Sequence, residues 1–136
     1  MAARRMPGPG LLVGLAIVAV FGVLVYVESR PSWKPIRVEH VSGESDSRML
    51  LVQATHSQCD HDPRARVLVQ NELTIVVSAE QDESGACDDI GLTRKFTLEL
   101  RERLGERTIQ LDNQSALDPE ACIIDGSPSG RCTGAS

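Results

Sequence analysis

Residues 66–77 read RVLVQNELTIVV, and this stretch decides the fold class. Apolar side chains alternate with other residues on both sides of the pair Asn71-Glu72, as half-buried β-strands require. Asn71 tolerates a positive φ, which a tight turn needs, although Glu72 is less favourable there than glycine. The stretch therefore predicts a β-hairpin with apolar alternation at Val67, Val69, Leu73, Ile75 and Val77.

The same alternation continues outward from this hairpin in both directions. Polar, turn-forming segments at 43–47, 57–63 and 80–89 separate the apolar stretches, and Gly105 supplies a further turn. No stretch beyond residue 28 shows a helical period over three turns. We therefore expect an all-β domain over residues 36–113, a small antiparallel β-sandwich or open barrel, with further strands at 36–40, 49–54, 96–100 and 108–111.

The segment before this domain is of a different kind. Residues 11–27 carry no charge, and in a helix they would extend roughly 26 Å, at the short end of a membrane span. We expect a single transmembrane signal anchor at residues 11–28, with signal-peptide cleavage near residue 28 as the alternative. Arg4 and Arg5 place residues 1–10 in the cytoplasm by the positive-inside rule, so the β domain lies outside the cytoplasmic membrane.

A proline-containing spacer at residues 29–35 joins the anchor to the domain. Pro31 and Pro35 stiffen it around Trp33. Two positions are open for Trp33, one at the lipid headgroup level and the other at the base of the domain core.

All four cysteines lie beyond the apolar run. An even number outside the cytoplasm predicts two disulfides, and three pairings are possible. We favour the sequential pairing, Cys59–Cys87 and Cys122–Cys132, over reduced cysteines in a cytosolic domain. Zinc binding is disfavoured because no C-x-x-C spacing is present. From residue 114 to 136 the composition turns to Asp, Pro, Ser and Gly, which predicts an irregular tail pinned by Cys122–Cys132.

Charge and motif content exclude several function classes. The net charge is −5 at pH 7, and an acidic domain repels nucleic-acid backbones. No Gly-rich phosphate loop and no G-x-S-x-G elbow occurs, so the sequence predicts no cofactor, no catalytic residue and no enzyme activity. The arginines between residues 101 and 107 alternate with glutamates and predict a mixed-charge strand surface that discourages edge pairing rather than a basic binding edge.

The densest group of metal-binding residue types lies at 56–62. A bond between Cys59 and Cys87 would bring the acidic residues of 82–89 alongside it. Carboxylates bind hard cations and imidazoles bind softer divalent ions, but the spacing matches no calcium loop. The alternative is a solvated acidic loop tied by a disulfide. The candidate metal ligands are His56, Asp60, His61, Asp62, Asp88 and Asp89.

Residues 86–112, ACDDIGLTRKFTLELRERLGERTIQLD, resemble a segment of small secreted and membrane-attached proteins of actinobacteria. The shared pattern is a cysteine, a short IG-T stretch, an alternating strand, and LG-R followed by an apolar residue and an aspartate. An earlier cysteine, matched by Cys59, precedes a Val-rich hairpin, while Cys122 and Cys132 have no counterpart. The resemblance implies a β-rich, disulfide-linked extracytoplasmic domain and no established activity. The matching positions are Cys87, Ile90, Gly91, Thr93, Leu104, Gly105, Arg107, Ile109 and Asp112.

These features together favour a membrane-anchored interaction or accessory domain that is not an enzyme. Its expected partners are the membrane itself and a protein at the membrane or cell wall. The alternative is a metal- or small-ligand-binding domain that uses the loops 56–62 and 82–89.

Overall fold

A computed structural model describes residues 31–135, and in this range the chain is all-β. Strands make up 59% of the described residues, their sheet structure is curled like a half-barrel, and no α-helix is present in this range. The predicted all-β class is confirmed. The elements are β1 Trp33–Pro35, β2 Arg37–Gly43, β3 Met49–Cys59, β4 Arg64–Gln70, β5 Thr74–Asp82, β6 Cys87–Glu99, β7 Thr108–Leu111, a 3-10 turn Pro119–Ala121, β8 Cys122–Ile124, β9 Ser127–Pro128 and β10 Cys132–Gly134.

The predicted segments 1–10 and 11–28 lie outside the described residues. Within 31–135, no helix is long and apolar enough to cross a membrane. The described part of the predicted spacer contains strand β1, which pairs antiparallel with the end of β5. Residues 33–35 of the predicted spacer are therefore part of the sheet.

The strands form two five-stranded sheets. One has the order β6-β3-β2-β8-β9, and the other runs β1-β5-β7-β10 with β4 also paired to β5. Three pairings are parallel, namely β5 with β7, β7 with β10, and β2 with β8. The two sheets are therefore mixed and not antiparallel throughout as expected, because distant parts of the chain return to lie beside β2 and β5.

One hydrophobic core joins the two sheets. It draws mainly on β2 and β3 from one sheet and on β5 and β7 from the other. The side chains are almost all aliphatic, and each fully buried Leu or Ile contributes about 2 kcal/mol. The buried apolar residues on strands are Val38, Val41, Leu50, Val52, Ala54, Ile75, Val77, Ala79, Leu98, Ile109, Leu111, Cys122, Ile124 and Cys132.

The hairpin predicted from residues 66–77 is present as β4 and β5, with two local differences. Asn71 does not adopt a positive φ; its Oδ1 accepts hydrogen bonds from the Leu73 and Thr74 amides and closes the turn as an Asx turn. A bulge between Val67 and Val69 shifts the register of β4. Val69 is consequently exposed, and so is Leu73 at the turn, whereas Ile75 and Val77 are buried as expected.

Of the predicted tail 114–136, the described residues are not irregular throughout, because three short strands lie among them. Its strand β8 pairs parallel with β2, β10 pairs parallel with β7, and β8 also pairs with β9. Cys122 and Cys132 are fully buried and bonded to each other. The apolar residues around Cys122 supply a short buried strand that the Pro, Ser and Gly content of this segment concealed.

Candidate functional site

The end of the domain marked by Cys59 and Cys87 brings the two predicted loops together. These cysteines lie directly opposite each other on β3 and β6, 4.0 Å apart at Cα, and are bonded. Both predicted disulfides are thus confirmed. We call residues 56–62 and 81–90 the Cys59–Cys87 end.

Asp60 closes the loop that follows β5. Its amide donates to the Ala86 carbonyl, and its carboxylate accepts from the Ala86 amide at 3.0 Å. A Cβ at position 85 would lie 2.6 Å from the Asp60 carboxylate, so this close approach requires Gly85. Asp60 therefore has a local structural role in the fold.

Asp82 fastens the first strand to the end of β5. Its Oδ1 accepts from the amides of Ser32 at 3.0 Å and Ser84 at 2.9 Å, and the residue is buried. His61 Nε2 lies 4.0 Å from Asp82 Oδ2. The Ser84 amide is the largest cause of a lowered Asp82 pKa, and the Ser32 amide and His61 act in the same direction.

Two neighbouring side chains extend this attachment. Glu83 forms an ion pair with Lys34 on β1 at 2.7 Å and accepts from the Gln81 side chain at 3.1 Å. The contact with Lys34 lowers the pKa of Glu83, and the Gln81 amide adds to the effect. On the same strand, the Trp33 ring lies under the Arg64 guanidinium, and Arg64 Cζ is 3.7 Å from the centroid of the ring. In this geometry, Trp33 contacts the domain.

Gln81 connects the two sheets at this end. Its Oε1 accepts from the Ser57 amide at 2.9 Å, next to the register shift of β3 between Ser57 and Gln58. The pairing of β3 with β2 ends at Thr55, so no described strand on that side accepts a hydrogen bond from the Ser57 amide. The buried Gln81 side chain supplies the acceptor instead. Sequence reasoning placed Gln81 in a loop and missed this role.

The remaining candidate ligands point to separate partners. His56 Nδ1 contacts the Ser57 carbonyl at 2.8 Å, and Asp62 pairs with Arg94 on β6 at 3.1 Å. Asp88 and Asp89 lie on the exposed half of β6. Among residues 31–135, no group of three or more His, Cys, Asp or Glu side chains is arranged to hold a metal ion. The loops meet as expected, and metal binding by them stays a prediction.

The LG-R residues that carry the resemblance build a turn at the opposite end of β3. Leu104 is fully buried and Gly105 adopts a φ of +57°, which favours glycine. The buried Arg107 donates to the carbonyls of Leu104 at 3.1 Å and Arg103 at 2.6 Å, and also to those of Glu102 and Asn71. Arg107 is therefore an internal support of the loop and not part of the mixed-charge surface that the sequence predicts.

A groove of about 700 Å³ lies between residues 35–39 and 113–121. Gln114 is one of the lining residues, and its side chain donates to the Val38 carbonyl at 3.0 Å and accepts from the Val38 amide at 2.8 Å. The Gln114 side-chain amide thus makes the two hydrogen bonds with Val38 that a neighbouring strand would make, next to the bulge of β2 between Val38 and His40. Arg37 and Glu39 also line the groove, which no pattern in the sequence predicts.

Comparison with protein families, characterised proteins and solved structures finds no match for this chain.

Proposed function

We propose that this protein is a non-enzymatic interaction or accessory domain held on the outer face of the cytoplasmic membrane by residues 11–28. The observation that carries the proposal is the pair of disulfides in a β domain that begins a few residues after an uncharged apolar run. Disulfides persist in oxidising compartments. An apolar run of this length preceded by arginines is typical of a signal anchor with its N-terminus inside.

The attachment of β1 supports this arrangement. Ser32 and Lys34 are held by Asp82 and Glu83, so the described part of the domain is attached from the fourth residue after the predicted anchor onward. Attachment of these residues leaves only a short connection between the domain and the proposed anchor, as expected for a domain held close to a membrane. The partner in this proposal is a protein at the membrane or the cell wall.

The proposal includes a relationship to the actinobacterial proteins that residues 86–112 resemble. In this chain the LG-R part of the motif forms the turn around Leu104 and Arg107, and the cysteine forms the bond to Cys59. These are roles in a fold, which agrees with a family defined by a disulfide-linked β domain rather than by a reaction.

The test is the location of the domain in cells that express the full chain. We expect the protein in the membrane fraction, cleavage of the domain by protease added to intact spheroplasts, and no thiol labelling of the denatured chain until reductant is added. A cytoplasmic protein fused to the same tag is the control for leakage. Recovery of a protease-protected chain with free thiols would contradict the proposal, and a mature chain that begins near Arg30 would show that the segment is cleaved.

A further inference from the structure

The two disulfides differ in their access to solvent. Cys122 and Cys132 are 0% and 1% exposed, respectively. In contrast, Cys59 is half-buried and Cys87 is exposed. Thiol–disulfide exchange requires that the attacking thiolate reach one of the two sulfurs. The Cys59–Cys87 bond is therefore the one that is open to exchange in the folded protein.

The exposed bond lies on the outer face of its sheet. Leu50 and Ala54 are buried, so the even-numbered residues of β3 face the core. The register shift near the end of β3 adds two residues to β6 and none to β3, so the alternation of β3 continues without a break. Because side chains alternate along a strand, Cys59 faces away from the core.

The strand end that this bond secures lies outside the core. Beyond the register shift, β6 has only two pairs with β3 among the described residues. Hydrogen bonds between Asp60 and Ala86 add a further attachment. Residues 84–95 are all exposed, and the first buried residue of β6 is Leu98. Breaking the disulfide therefore frees the tip of β6, residues 87–90, without uncovering buried core side chains.

Negative charge surrounds the exposed bond. The Cys59–Cys87 end contains six carboxylates and no lysine or arginine. Asp62 and Glu83 are paired with cations from other segments. Asp88 and Asp89 directly follow Cys87 and form no ion pair within residues 31–135. Since the attacking species is a thiolate, these carboxylates repel it unless the molecule that carries it is positively charged.

We propose that Cys59–Cys87 is a thiol-exchange site, which thiols on a cationic carrier open while Cys122–Cys132 stays oxidised. A thiolate attacks Sγ of the more exposed Cys87. The disulfide breaks, and its electron pair leaves on Cys59 Sγ, which takes up a proton. A second thiol then displaces the first from Cys87. The two carrier thiols are oxidised to a disulfide and the protein gains two thiols, so two electrons are transferred in total.

Exchange at this site would change the surface of the domain and leave its core in place. In the opened form, the end strand of the sheet loses its attachment at residues 87–90, next to the loops 56–62 and 81–86. The inference goes beyond the interaction role proposed above. Its tests use the purified full chain in detergent, so it stands or falls separately from the localisation result.

The first experiment follows reduction of the native chain by dithiothreitol, a neutral dithiol. Samples taken over time are unfolded in excess N-ethylmaleimide and digested with trypsin, which leaves the four cysteines on four different peptides. We expect Cys59 and Cys87 to be labelled at least about 100-fold faster than the buried pair, since the buried bond reacts only after the core opens. Labelling should then pause at two cysteines per chain.

The control for this experiment is the same reduction of the chain unfolded in urea. There both disulfides should be reduced at similar rates, because the fold no longer protects either of them. Labelling of all four cysteines together in the native chain would overturn the proposal. Earlier labelling of Cys122 and Cys132 would overturn it as well.

The second experiment tests the charge of the carrier. Cysteamine and 2-mercaptoethanesulfonate are monothiols of similar size and opposite charge. Each rate of attack is divided by the rate of the same thiol with the uncharged disulfide of 2-mercaptoethanol, which corrects for intrinsic reactivity. At low ionic strength we expect the corrected rate to be about tenfold higher for cysteamine, with the mixed disulfide on Cys87 and the free thiol on Cys59.

A pair of variants shows whether the neighbouring carboxylates cause this preference. Asp88→Asn combined with Asp89→Asn should bring the ratio of the two corrected rates close to one. The matched control is Glu44→Gln combined with Asp46→Asn, at exposed positions after β2, and it should leave the ratio unchanged. A ratio near one in the unmodified chain, an equal effect of both variants, or a mixed disulfide mainly on Cys59 would refute the proposed site.

Discussion

The two ends of β3 differ in the way they are held. At the Cys59–Cys87 end, Cys87 and the following residues of β6 are exposed, and ties between loops are made mainly by carboxylates. At the other end, the 100–107 loop is held by the buried Arg107, which donates to backbone carbonyls. The buried Cys122–Cys132 bond lies in the core, where it joins β8, the neighbour of β2, to β10, the neighbour of β7. The comparison shows that one disulfide secures an exposed strand pair, whereas the other is part of the packing.

The largest expected effect is the loss of the buried disulfide. Loop closure alone gives about 3 kcal/mol for a bond of sequence separation 10 and about 4 kcal/mol for one of separation 28. Truncation of the fully buried Cys122 and Cys132 adds a packing loss of about 2 kcal/mol. We expect Cys122→Ala with Cys132→Ala to lower the free energy of unfolding by about 5 kcal/mol, and Cys59→Ala with Cys87→Ala by about 4 kcal/mol.

Chemical denaturation of the oxidised variants measures this order, and hydrogen exchange sharpens it. Loss of the Cys59–Cys87 bond should accelerate exchange mainly at residues 56–60 and 86–91, while loss of the buried bond should affect the whole core. A larger loss from the exposed pair would show that loop length outweighs burial. A melting temperature unchanged by reductant would contradict the stabilising role of both bonds.

Arg107 provides the next test of the buried region. Arg107→Met leaves the carbonyls of Glu102, Leu104 and Arg103 without this donor, and we expect a loss of about 3 kcal/mol in the free energy of unfolding. Arg107→Lys should recover part of it, because an ammonium reaches fewer of these oxygens. The neighbouring exposed Arg103→Met is the control and should stay within about 0.5 kcal/mol. Equal effects at both positions would refute the internal role of Arg107.

The same contrast explains how much of the molecule the sequence predicts. Local alternation locates β7 at 108–111 and the hairpin around Asn71, since both depend on neighbouring residues. The three parallel pairings escape prediction because they join residues far apart in the chain. Arg107 looks like a surface arginine because its partners are backbone carbonyls, which leave no pattern in the side-chain sequence.

The candidate site shows the same division. The pairing of Cys59 with Cys87 and the meeting of the two loops follow from cysteine positions. The role of the carboxylates there does not follow from the sequence. The sequence shows that these carboxylates are close together along the chain, but it does not show which backbone amide donates a hydrogen bond to each of them. Asp60 and Asp82 bind backbone amides of other segments, a use that resembles metal ligation in residue type alone.

The smallest expected effect concerns acid sensitivity and the carboxylates at the two ends. The Ser84 amide lowers the pKa of Asp82, and the Ser45 hydroxyl lowers the pKa of Asp125, which lies in the turn between β8 and β9. A carboxyl with a lowered folded-state pKa stabilises the fold above its ordinary pKa of 3.8, and this contribution is lost as pH falls through the lowered value. The melting temperature should therefore fall below about pH 4. Asp82→Asn should make that fall shallower, and Asp46→Asn, at an exposed carboxyl, should leave it unchanged. An equally steep fall in Asp82→Asn would show that the ties at the Cys59–Cys87 end do not contribute to stability through the charge of Asp82.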